Sequence, residues 1–239
     1  MQDFLLKMSI ILVPGLLAIT CHEVSHGVVA YKFGDKTAHS QGRLTLNPLK
    51  HLDFLGTLML LIFHFGWAKP VPVILTNLKN PKRDMVWIAI AGPATNFLLA
   101  ILSAIALRSF MLFVDVIPVT PYLDFKQPII LMLSFSVYIN LLLGFFNLIP
   151  IPPLDGGRIT VGLLPYRQAV SYSKIEPYGF FIVIFLVFFP VTNIFSLVIM
   201  PLLMSTIKLV TGPQYQLVMK SLSYIVSLPN FIQAFRSFF

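Results

Sequence analysis

Two histidines and a glutamate stand within five residues, in the run His22-Glu23-Val24-Ser25-His26. On a helix, positions i and i+4 lie one above the other on the same face, so both imidazoles can reach one ion. Neutral imidazole is a zinc ligand. A carboxylate beside the first ligand can accept the proton of a water activated at the metal. The chain has only two glutamates, Glu23 and Glu176, and one of them sits between two of the five histidines. The flanking sequence, Met8 to Tyr31, is otherwise apolar except for Ser25 and a few small polar residues. Ionisable groups inside a membrane segment cost about 2.5–3.5 kcal/mol each on insertion scales. Three of them together therefore mark a functional site rather than satisfied polar residues at a helix contact.

A catalytic zinc usually takes three protein ligands and keeps one position open. His39, His51 and His64 have the right chemistry, but all lie in or beside the polar and short apolar stretch after the first span. Most of the acids flank spans or sit in loops. Asp155 is different: it follows Asn147-Leu148-Ile149-Pro150-Ile151-Pro152-Pro153-Leu154 and precedes Gly156-Gly157. Prolines and glycines break a helix there, and irregular backbone at membrane depth is tolerated only against protein or a watery cavity. A plain turn would also favour Asp. Beside the two histidines, Asp155 is the preferred third ligand.

The elements that must carry these groups are set by composition. The chain has 239 residues, 57% apolar and 11% charged, with mean hydropathy +0.85. Soluble domains carry about 25% charged residues, so a water-facing globule and a disordered chain are both excluded. A single cysteine excludes a disulfide scaffold or a Cys-rich zinc ribbon. The net charge of +8 is distributed between apolar runs, which suits anionic headgroups and topology setting. No basic stripe with interleaved aromatics suggests nucleic acid. The opening segment lacks the features of a cleavable signal peptide and is expected to be retained.

Spans are expected at Met8–Tyr31, Met85–Phe113, with a kink or a broken start at Gly92-Pro93, and Pro128–Ile149. Phe54–Trp67 is too short for a span and reads as re-entrant or interfacial. The apolar region Tyr178–Val210, split at Pro190, makes one broken span or two short ones, and the tail from Thr211 reads as interfacial. Basic residues crowd the loops after the first and third spans and before the second, which puts those loops and the active site toward the cytoplasm. One integral-membrane domain, 1–239, is expected, with its core at 8–176 and a C-terminal membrane region at 177–239.

These motifs together resemble the site-2 protease family of intramembrane zinc metalloproteases, in its compact prokaryotic form without accessory domains. The resemblance rests on His22–His26, on Asn47-Pro48 with His51, Asp53 and Gly56-Thr57, and on Gly66 to Val73. It rests further on Ala91-Gly92-Pro93-Ala94-Thr95-Asn96 and on Phe146 to Arg158. Phe54 departs from the family's usual proline. The resemblance implies an all-α polytopic membrane protein of about four to six transmembrane helices with a short membrane-associated β or re-entrant segment at Gly66–Val73. It implies one Zn²⁺ per chain on His22, His26 and Asp155, and Glu23 as the catalytic glutamate. Asn147 matches an asparagine that helps hold the substrate or polarise its carbonyl. The implied partners are the lipid bilayer and a transmembrane protein substrate. Gly92, Pro93 and Asn96 read as packing and a kink rather than as catalytic. The competing expectation is a proton- or metal-coupled transporter with the His/Glu cluster as a relay. That reading gives no reason for the i, i+4 histidine spacing or for the later Asp-Gly turn. An inactive scaffold retaining the fold is a further alternative.

Overall fold

The computed structural model describes residues 2–56, 67–114, 126–188 and 195–226. Among these the regular structure is helical and no strand forms. Helices satisfy every backbone polar group within the segment, which lipid demands. Three long ones make the centre: α1 (Gln2–Lys32), α2 (Pro81–Phe113) and α3 (Lys126–Asn147), each packed against the other two. α2 opens with proline in its first turn, and the Asp84 carboxylate accepts from Asn80 N at 2.8 Å while Asp84 N donates back to Asn80 O. This reciprocal pair satisfies end groups that would otherwise be orphaned. The helix is continuous through Pro93 and does not start there.

After α3 the chain breaks at Leu148–Leu154 and resumes as α4 (Asp155–Leu163), α5 (Tyr166–Ser173) and α6 (Glu176–Phe188). The described chain then re-enters through a π-helical turn, Phe195–Ile199, into α7 (Met200–Thr211) and α8 (Tyr215–Val226). The core joins Ile10, Ala100, Ala104, Leu107, Leu131 and Leu141 to Leu203, Ile207, Val218 and Ile225. The tail is therefore not merely interfacial. Val218 and Ser221 are fully buried, and α8 packs on α3, because its apolar stripe finds a protein partner before it meets lipid. Among the described residues four segments are long and apolar enough to cross a membrane: Met8–Lys32, Pro81–Phe113, Lys126–Asn147 and Leu197–Ile225.

Residues 67–74 form an extended strap between α1 and the loop that follows it. Pro70 and Pro72 push Lys69 and Val71 toward extended backbone and remove every second donor, so a hydrogen-bonded ladder cannot build. The expected β segment is thus reduced, among the described residues, to one antiparallel bridge between Leu52 and Ala68. Most of the Phe54–Trp67 stretch, with His64, lies outside the described residues.

One backbone bond of the Leu52–Ala68 bridge and several side chains hold the strap. Arg43 donates to Lys69 O at 2.8 Å, Lys69 N donates to His51 O at 2.8 Å, and Ile74 N donates to Asp35 Oδ2 at 2.7 Å. The fully buried Asp35 also accepts from Thr37 N, Thr37 Oγ1 and Asn77 Nδ2. Burial alone would push the Asp35 carboxyl upward in pKa, but the bonds from Asn77, Thr37 and Ile74 outweigh it and hold it below the ordinary value of 3.8. A lowered folded-state pKa gives stability that is complete above the unfolded value and lost as pH falls through the folded one. We expect Asp35→Ala to cost about 1–3 kcal/mol, seen as a lower melting temperature in detergent at pH 7. The difference from wild type should shrink as the pH is taken below 3.8.

Candidate metal centre

α1 carries its polar residues on two faces. Ala18, His22 and His26 recur at i, i+4, i+8 and meet α2 in antiparallel register, opposite Asn96, Gly92 and Ile88. Glu23 and Gly27 lie on the neighbouring face and meet the strap. Glu23 Oε2 accepts from Val71 N at 2.8 Å, and a Cβ on Gly27 would stand 3.0 Å from the Val71 side chain.

The third group arrives from the break after α3. Asp155 is the first residue of α4, where the helix dipole favours a carboxylate. Gly156 and Gly157 are buried against the backbone of Leu148–Pro152, and a Cβ at either would collide with it. Only glycine lets α4 fold back tightly enough to aim Asp155 at α1. Its Oδ2 lies 3.1 Å from His22 Nε2 and 3.2 Å from His26 Nε2. All three residues are buried, and their ligand-capable atoms lie within 4.8 Å of one another.

The outer nitrogens decide the chemistry of the inner ones. His26 Nδ1 is 2.6 Å from Ile88 O, a group that can only accept, so Nδ1 carries the proton. His22 Nδ1 is 2.6 Å from Asn96 Oδ1. With both Nδ1 atoms donating, neutral rings turn bare lone pairs toward Asp155 Oδ2, which itself has no hydrogen-bond donor. Three buried acceptors then face one another, an arrangement that repels unless a proton or a metal ion lies among them. Atoms held about 2.0–2.2 Å from one tetrahedral zinc lie about 3.3–3.5 Å apart, close to the separations found here. Space is kept as well: a Cβ at Gly92 would stand 2.5 Å from His26 Nε2 and 2.6 Å from His22 Nε2. The donor set and its cradle fit a zinc ion.

His39 is exposed against Tyr31, and His51 is buried with Nε2 at 2.8 Å from Thr45 O, so neither joins the cluster. Asn147 closes α3 and donates from Nδ2 to Leu143 O at 3.0 Å. Gly92 and Asn96, which read as packing residues in the sequence, touch the histidines directly. Their i, i+4 spacing within an apolar span was the available signal, but only the helix register reveals what they face. Val71 is marked in the sequence only as part of the Gly66–Val73 segment, because its own contact with Glu23 is made through its backbone.

Buried imidazoles and a carboxylate beside a glutamate, inside a helical membrane domain, define a membrane metalloprotease. The chain belongs to peptidase family M50, the site-2 proteases, whose family model matches residues 113–190, including Asp155. It is 42% identical over 188 residues to "Putative zinc metalloprotease YwhC" of Bacillus subtilis, covering 79% of this chain and 83% of that protein. It is 30% identical over 191 residues to "Putative zinc metalloprotease Rip2" of Mycolicibacterium smegmatis, covering 77% and 69%. A third relative, "Zinc metalloprotease MJ0392" of Methanocaldococcus jannaschii, is 27% identical over 157 residues, covering 66% and 35%. No solved structure gives a significant match. The cofactor is Zn²⁺, and the protein is multi-pass in the membrane.

The close approach at Gly92 yields a test. Gly92→Ala should leave a folded protein whose zinc affinity is lower by about 10–100-fold, measured by chelator competition in detergent.

Proposed function

We propose that the protein hydrolyses peptide bonds within or near transmembrane segments of membrane-protein substrates, in regulated intramembrane proteolysis. One observation carries this: two imidazoles and the Asp155 carboxylate converge in a buried space, their ligand-capable atoms within 4.8 Å of one another. His22, His26 and Asp155 are the zinc ligands in this reading. Zinc, when bound, supplies Lewis acidity toward a peptide carbonyl and acidifies water.

The remaining work belongs to the chain. Glu23 accepts a proton from the attacking water and delivers it to the leaving amine, a role in keeping with its place beside His22. Val71 N–H orients the Glu23 carboxylate from the strap side. Asn147, at the end of α3 and eight residues before Asp155, holds the substrate or polarises its carbonyl. A cavity of about 620 Å³ borders the strap at Val71 and Val73 and the break at Pro153 and Gly157, which gives an extended peptide room between the strap and α4. The basic loops put this side toward the cytoplasm, and residues 1–239 act as one domain.

The deciding experiment pairs metal analysis of the detergent-purified protein with cleavage of co-expressed single-span substrates. Glu23→Gln should keep stoichiometric zinc and lose cleavage by at least about 10²–10⁴-fold. Retained cleavage would remove Glu23 from the chemistry. His26→Ala and Asp155→Ala should each lose bound zinc; full occupancy in either would break the ligand set.

A further inference from the structure

The two histidines are oriented by different means. His26 Nδ1 donates to a backbone carbonyl, Ile88 O, which no substitution removes. His22 Nδ1 depends on a side chain, Asn96, and an amide can present either end. Its nitrogen end would face the ring with donors, force the proton onto Nε2, and destroy the inward lone pair.

The structure contains what decides the matter. Asn140 Nδ2 donates to Ser136 O at 2.9 Å, and a carbonyl cannot donate in return, so Asn140 must turn its oxygen away, toward Asn96. Asn96 Nδ2 then donates to Asn140 Oδ1 at 3.0 Å and to a second carbonyl, Ala18 O, at 3.3 Å. Only Asn96 Oδ1 is left for His22. Asn96 and Asn140 are 0% and 1% exposed, so water cannot substitute for either partner. Ser136 Oγ, 2.8 Å from Ser103 Oγ and 3.3 Å from Asn140 Nδ2, ties the far end of the chain back to α2.

We infer that Asn96 and Asn140 are positioning residues, a relay running from α3 through α2 that holds His22 in the tautomer whose Nε2 is bare and ready for the metal. The inference rests on the reading of His22, His26 and Asp155 as zinc ligands. Asn140 acts only through Asn96, and Asn96 acts only through His22.

The test uses the full chain in detergent. It compares wild type with Asn96→Leu, Asn96→Asp, Asn140→Leu and the Asn96→Leu/Asn140→Leu double variant. Readouts are zinc affinity by chelator competition, the visible absorption spectrum of the cobalt-substituted protein, and melting of the metal-free protein. Asn96→Leu should lower zinc affinity by about 10–100-fold and change the cobalt spectrum. Asn96→Asp, whose carboxyl accepts from Nδ1–H on one oxygen and, protonated on the other, donates to Asn140 Oδ1, should restore affinity to within about threefold of wild type. Asn140→Leu should cost about three- to tenfold in the wild-type background and nothing further in the Asn96→Leu background.

A role confined to helix packing would lower the metal-free melting temperature and leave the cobalt spectrum unchanged, which overturns the relay. So would an equal cost for Asn140→Leu in both backgrounds, or no rescue by aspartate. If Asn96→Leu does not fold, the aspartate and Asn140→Leu variants decide by the same spectrum and affinity. Failure of the ligand assignment looks different: wild type would bind no stoichiometric zinc, or His22→Ala would keep it, and the relay would fall with it.

Discussion

Three acceptors meet where water is excluded: Nε2 of His22, Nε2 of His26 and Oδ2 of Asp155. Left bare, they repel one another, and burial in low dielectric sharpens the repulsion. Much of the surrounding structure can be understood as holding these atoms in place. α1 and α2 run antiparallel with His22 and His26 opposite Asn96 and Ile88, so both rings are gripped from behind. Gly92 between them supplies the missing volume. The glycine pair after Asp155 lets α4 turn back on the end of α3 and bring the carboxylate in. A chain that buries this cluster in lipid accepts an unfavourable free energy that only a cation, and the function it serves, can offset.

Helix periodicity lets one short motif serve two surfaces. His22 and His26 face α2, whereas Glu23, about 100° round the helix, faces the strap and bonds to Val71 N–H. In the proposed roles, the acid–base group is thus anchored to an element distinct from the one that anchors the metal ligands. That element is unusual in being ordered without a ladder. The alternating prolines keep it extended, and beyond the single bridge bond to the His51 carbonyl, Arg43 and Asp35 supply the hydrogen bonds a neighbouring strand would have made. Most of the strap's backbone donors are already taken, by His51 O, Glu23 and Asp35, or are missing at Pro70 and Pro72.

The polar residues of α2 and α3 obey the same economy. Interhelical hydrogen bonds in a membrane contribute modestly, about 0.6 kcal/mol on average. Glue alone therefore explains little of why Asn96, Asn140, Ser136 and Ser103 sit in one connected run. A run with a defined direction, ending on a histidine that must present a bare nitrogen, has a chemical reason to be there.

Much of this was legible in the residues themselves. The membrane class follows from composition, and the long helices α1, α2 and α3 fall within a few residues of the apolar runs that announce them. The i, i+4 histidines and the glutamate between them state their chemistry in local spacing, because helix geometry converts sequence separation directly into a shared face. Asp155 could be singled out by its proline and glycine surroundings. Its meeting with His22 and His26, more than a hundred residues away, is a property of the packed helices alone. The same holds for Gly92 and Asn96, whose partners depend on how α1 and α2 slide past each other, and for Val71, whose contribution is a backbone N–H that no side chain advertises. It holds also for α8, whose apolar stripe could have met lipid and met α3 instead. Sequence specifies what each segment can bury and which groups can react. Which buried groups face one another depends on register and rotation between helices, and those are settled only when the whole bundle closes.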